Sequence, residues 1–130
     1  MGKNDEAAEV YVKAAPLAQA IEEPFLEMEA WRMAAYCYEK EKTYQAAVQY
    51  GEFALIAGEK MPEEEREPST LVYVGDAFIR VIKCAKKQMR LFTITAAVPE
   101  EDAINDRMVA LMGEDWQASV INNAEGVLPS

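Results

Sequence analysis

Arg80, Lys83, Lys87 and Arg90 follow one another at steps of three, four and three, with Lys86 beside them. Residues so spaced share one face of a helix, which makes this a basic stripe holding five of the 13 basic residues. The chemistry it offers is ionic: docking of an acidic peptide or an anionic surface. Two ordinary explanations stand beside that one. Cations favour a helix C-terminus, and the stripe could pair with the chain's own acidic loop at Glu63, Glu64, Glu65 and Glu67. Covalent and metal chemistry have less to work with. The chain has no histidine, which removes Ser-His and Cys-His nucleophile pairs and zinc sites of the usual Cys/His kind. Cys37 and Cys84 form no CxxC and fall in apolar helical patterns, so they read as small buried hydrophobes in a reducing compartment. No P-loop, dinucleotide fingerprint, EF-hand loop or GxSxG is present. Carboxylate pairs such as Glu63 and Glu65 read as a solvated loop. The expectation is a protein that binds and is not an enzyme, with no cofactor and no metal.

The composition narrows the partner. A net charge of −10 repels phosphate backbones, so nucleic acid is not expected. No apolar run reaches the roughly 18 residues of a membrane span. The segment MGKNDEAAEV lacks the basic and apolar parts of a signal peptide, and Glu6 stands where myristoylation would want Ser or Thr. These features point to a cytoplasmic protein without membrane insertion. A length of 130 residues suits one domain, expected over 1–116, with a tail over 117–130 that lacks periodicity and is either disordered or draped over the domain.

Helices must position the stripe. The first is expected from about Asn4 to Ile21, N-capped by Asn4 or Asp5, with a kink or break at Pro16. The second begins near Pro24 and runs to about Lys42, with apolar positions on two stripes. The third opens with Thr43 as N-cap and ends near Gly58, read as a C′ residue. Ala47, Gly51, Ala54 and Gly58 recur at steps of four, three and four, a small-residue stripe suited to close helix approach. A charged loop, EKMPEEEREP, follows, and Ser69 caps a long fourth helix to about Leu91. LFTITAAVP reads as an extended connection or short strand, and residues 99–113 as a fifth helix with Ile104, Met108, Leu111 and Met112 on one face.

Shifting the chain by 40 residues against itself aligns Trp31 with Leu71, Ala34 with Val74, Ala35 with Gly75 and Tyr38 with Phe78. The same shift aligns Ala7 with Ala47, Ala14 with Ala54 and Ala15 with Leu55. The stretch AWRMAAYCYEKEKTYQAAVQYGEFAL carries the best copy of the pattern. Through Trp31, Ala34, Ala35, Tyr38, Tyr44, Ala47, Ala54 and Leu55 it resembles a tetratricopeptide (TPR) repeat. Gly51 replaces the second helix's aromatic, with Tyr50 one residue away, and Lys42 stands where a turn glycine is usual. Residues 2–18 resemble only the second helix of a preceding repeat, and 71–83 only the first helix of a following one.

The resemblance implies an all-α fold, a right-handed array of antiparallel helix pairs, whose first helices line a concave groove. Carried across by position, the groove residues are Glu29, Arg32, Tyr36 and Glu39 from one unit, and Ser69, Val72, Asp76 and Ile79 from the next. The implied role is an adaptor or chaperone-like module that binds a peptide or helix of another protein. Two alternatives stay open. One is an acidic stoichiometric inhibitor, of the immunity-protein type, that masks a basic partner. The other is a structural segment of a larger array, which would expose apolar surface at its ends and self-associate.

Overall fold

The computed structural model describes residues 3–91 and 101–118, with all of their side chains except those at 68, 69, 88–91, 101, 102 and 104. The expected connection at LFTITAAVP, apart from Leu91, and most of the C-terminal tail lie outside these residues. The described elements are helical: α1 (Lys3–Ala20), α2 (Pro24–Lys40), α3 (Tyr44–Glu59), α4 (Pro68–Leu91) and α5 (Glu101–Met112), with a 3₁₀ turn at Glu63–Glu65. No described helix is long and apolar enough to cross a membrane.

Pro16 lies inside α1, which runs on without the expected break. A proline removes the amide that would bond the carbonyl four residues back. Here the ring sits on an exposed face, so water can satisfy that carbonyl. Asn4 and Asp5 fall in the first turn rather than ahead of it.

The α1–α2 and α2–α3 turns are built alike. The amide of Glu22 donates to Gln19 and that of Glu23 to Ala18; twenty residues on, Lys42 donates to Glu39 and Thr43 to Tyr38. This is the Schellman pattern, which needs a left-handed residue at C′. Glu22 (φ 55°) and Lys42 (φ 61°) supply it where glycine would be easier. Pro24 and Tyr44 then open the next helices. Thr43 is the N-cap of α3, but through its carbonyl, which accepts from Ala47; its side chain makes no cap hydrogen bond.

Gly58 is not a C′ residue. It lies one residue inside the end of α3, where a Cβ would come 2.8 Å from Val74 Cγ2 of α4. Gly51 meets Val81 in the same way, at 2.5 Å. The small-residue stripe therefore brings α3 and α4 into close contact, and α3 is finished by other means. Arg66 donates from Nε to the Met61 carbonyl (2.9 Å) and from Nη2 to the Glu59 carbonyl (3.0 Å). Ser69 does not cap α4 either. The helix starts at Pro68, proline being favoured at the first position, and the Glu67 carbonyl accepts from Thr70 and Leu71.

Contacts are densest in the pairs α1–α2, α2–α3 and α3–α4; α2 also touches α4, and α5 packs more lightly on α4. The core runs from Met28 through Ala54, Leu55, Val74, Ala77 and Phe78 to Met108 and Trp116. Between α2 and α3 lies a stack of aromatics. Tyr50 is parallel to both Trp31 and Tyr38, with centroids 5.5 Å away in each case, and Phe53 meets Trp31 edge-on at 5.1 Å. Tyr50 thus packs between Trp31 and Tyr38, while Gly51 faces α4. Trp116 packs on Phe78 and donates from Nε1 to Asn105 Oδ1 at 3.0 Å.

Candidate functional site: a cationic cavity between α2 and α4

The last two turns of α2, the tight turn after it and the middle of α4 enclose a cavity of about 360 Å³. Tyr36, Glu39 and Lys40 reach it from α2, and Lys42 from the turn. Asp76, Ile79, Arg80, Lys83 and Lys87 come from one face of α4, at the i, i+3, i+4, i+7 and i+11 spacing of a single stripe. Tyr44, the first residue of α3, closes one end.

Its floor is a buried chain of ions. Arg32, 3 % exposed, donates from Nε to Glu29 Oε1 (2.7 Å) and from Nη1 to Asp76 Oδ2 (3.1 Å). Asp76 also accepts from Arg80 Nη2 at 3.2 Å, and Arg80 Nη1 pairs with Glu39. Both guanidinium groups lie over tyrosine rings, Arg32 over Tyr73 and Arg80 over Tyr36, each 4.9 Å from the centroid. Burial alone would lower the Arg32 pKa; Glu29 and Asp76 outweigh it and hold the group above the ordinary guanidinium value. Arg80 Nε is buried without a hydrogen-bond partner among the described residues.

The rim is different. Lys83 Nζ stands 3.5 Å from Glu39 Oε2 and its side chain remains 57 % exposed. Lys40 Nζ lies 5.2 Å from the Tyr36 centroid and Lys87 Nζ 5.3 Å from that of Tyr44. Among the described residues Lys40, Lys42 and Lys87 have no carboxylate within ion-pair distance. Five cationic side chains thus meet two carboxylates in the lining. A chain of net charge −10 has a locally positive hollow.

Two separate sequence expectations meet here. Tyr36, Glu39, Asp76 and Ile79 come from the expected groove, and Arg80, Lys83 and Lys87 from the basic stripe. Arg32 supports the floor from beneath, being too buried to face a ligand. Val72 is a core residue, 1 % exposed, and belongs to the apolar cluster that holds Leu71, Met28 and Phe78. Glu29 lines a different groove. Lys86 is exposed, and the side chains of Ser69 and Arg90 lie outside the described ones. Arg80 and Lys83 pair with Glu39 and not with the acidic loop at 63–67. Lys40, Lys42 and Tyr44 were not foreseen. The KEK spacing at the end of α2 was the only sequence signal for the two lysines, and Tyr44 stood out only as part of the repeat pattern.

The two thiols are buried away from the cavity lining. Cys37 and Cys84 are free and buried. Burial and the nearby Glu39 push Cys84 from 9.0 up to about 11, against the opposing pull of Arg80 and the lysines. Burial likewise raises Cys37, against Arg80. Thiols held protonated in this way are poor nucleophiles at neutral pH.

Comparison of the chain with protein-family models, with curated proteins and with solved structures found no match.

Proposed function

We propose that the chain is a TPR-like protein-interaction module that holds an acidic segment of a partner protein in the cavity between α2 and α4. The observation carrying this is the lining itself, five cations with Tyr36, Tyr44 and Ile79 in an otherwise acidic molecule. Carboxylates of a ligand would meet the rim lysines, while its apolar side chains would lie on Ile79.

The array reading draws support from how contacts pair along the chain. Between α2 and α3, Glu27 meets Lys60, Trp31 meets Phe53 and Tyr38 meets Tyr50, as for helices of opposite direction. Between α2 and α4, Phe25 meets Tyr73, Arg32 meets Asp76 and Glu39 meets Arg80, as for helices of the same direction. Burial also repeats at the 40-residue offset: Ala15 with Leu55 and Ala34 with Val74 are all 0 % exposed.

The test is fluorescence anisotropy with a labelled peptide of alternating Glu and Leu. The expected result is saturable binding that the double variant Lys83→Glu, Lys87→Glu weakens at least tenfold, equivalent to about 1.4 kcal/mol, with the helical circular dichroism unchanged. Equal affinity of the variant, or equal binding of an alternating Lys and Leu peptide, would refute the proposal. Arg32 is unsuited to this experiment. Its removal strands Glu29 and Asp76 and would confuse folding with binding.

A further inference from the structure

A second, larger groove opens between α1 and α2. Its volume is about 770 Å³, and its walls are Tyr11, Ala14, Leu17 and Ile21 of α1 and its turn with Leu26 and Met33 of α2. Leu17 is 70 % exposed, Ile21 66 % and Leu26 50 %. Ala14, Leu17 and Ile21 extend, at steps of three and four, the line begun by Val10, itself 64 % exposed. Such a stripe is the seam by which one helix packs on another, and a contiguous apolar patch of this kind marks an interaction surface.

The chain itself shows what fits such a groove. One 40-residue offset further on, Ala14, Leu17 and Ile21 become Ala54, Ala57 and Met61, and Met33 becomes Tyr73. Those later residues form the seat of α2. Ala54, Ala57 and Met61 share a core cluster with Met28, while Phe25 meets the Tyr73 ring at 5.9 Å. There Ala54 and Ala57 are 0 % exposed and Met61 1 %. Four wall positions thus have counterparts in the seat of α2, whereas Tyr11 and Leu26 shift onto Gly51 and Arg66; the later seat is filled by an aromatic-bearing helix and the α1–α2 groove is open.

We infer that the α1–α2 groove is a seat for an amphipathic α-helix of a partner protein, one with large apolar residues at the spacing of Phe25 and Met28 in α2. This rests on the repeat reading above and is independent of the cationic cavity. From Tyr11 to Ile21 the wall is about 15 Å long at 1.5 Å per residue, so it accepts about three helical turns. A second copy cannot fill the seat with the same helix. Its own α2 is locked between α3 and α4, with Met28, Ala34 and Ala35 at 0 % exposure, and cannot be lent without unfolding.

The probe is a labelled synthetic peptide of residues 22–42, added to the intact protein. Saturable binding is expected, weakened at least tenfold by Leu17→Gln with Ile21→Gln in the protein or by Met28→Asp in the peptide. Because Leu17 and Ile21 are exposed, the protein variant should keep its helicity and its affinity for the Glu/Leu peptide. Absence of saturable binding, or binding indifferent to these changes, overturns the inference. So does concentration-dependent dimerisation in sedimentation that the Gln variant abolishes, since a second copy would then cover the face. Loss of Glu/Leu binding by the Lys83, Lys87 variant, with 22–42 binding intact, bears on the cavity alone; failure of the 22–42 peptide with the cavity intact bears on this groove alone.

Discussion

At the scale of single residues, the two left-handed positions separate conformation from charge. Glu22 and Lys42 occupy the same C′ site of the same turn, with φ near 55° and 61°, yet only Lys42 lines the cavity. A side chain there costs about 1–2 kcal/mol, and glycine returns part of that gain through its freer unfolded chain. Glu22→Gly should therefore stabilise the protein by roughly 0.5–1 kcal/mol, a rise of a few degrees in Tm, with Glu/Leu peptide affinity unchanged. Lys42→Gly should raise Tm equally and weaken that peptide, because it also removes a rim cation. Scanning calorimetry on both variants reads the first effect and anisotropy the second. If Glu22→Gly lowers Tm, the left-handed turn is wrong. The left-handed lysine is no sign of function by itself, since Glu22 adopts the same strained conformation away from the cavity.

Among the elements, α3 and α4 are set by what glycine leaves out. Gly58→Ala would press its Cβ to 2.8 Å from Val74 Cγ2, and overpacking of this kind costs about 1–3 kcal/mol. Alanine recovers up to about 1 kcal/mol of helix propensity, so a net loss of about 1–2 kcal/mol is expected in urea unfolding. Val74→Ala alone should cost about 1–2 kcal/mol for its lost methyl groups. Combined, the two should cost clearly less than their sum, by about 1 kcal/mol or more. Strict additivity would mean that the helices do not meet there. The pair α2–α3 was legible in the sequence because Trp31, Ala34, Ala35 and Tyr38 repeat at helical steps and Thr43 marks the restart. Gly58 was misread because a glycine near a helix end has two meanings, terminator or close contact. Only the position of Val74, far along the chain, decides between them. The same limit governed the site. Arg80, Lys83 and Lys87 stood out as a stripe, whereas the burial of Arg32 depends on Asp76, 44 residues away. Lys40 and Lys42 looked like ordinary cations at a helix C-terminus, and their approach to Lys83 and Lys87 is a product of packing between α2 and α4.

For the molecule as a whole, charge is distributed against its own average. The chain carries −10, while the cavity lining holds five cations and two carboxylates. An acidic ligand approaching from afar meets the repulsive mean field and is attracted only within a few ångströms of the rim. Added salt shortens the screening length from about 10 Å at 0.1 M to about 3 Å at 1 M, which removes the distant repulsion before it weakens the close ion pairs. For the Glu/Leu peptide, stopped-flow measurements should therefore show an association rate that holds or rises with salt and a dissociation rate that increases. An acidic inhibitor masking a basic partner would behave in the opposite way, because steering by the whole field accelerates its encounter at low salt. Its association rate should fall steeply as salt is added. The sign of that slope separates the two roles for one and the same net charge. A steep fall with the Glu/Leu peptide would mean that its encounter is governed by a positive field larger than these five side chains provide, and would remove the cavity as the site of recognition.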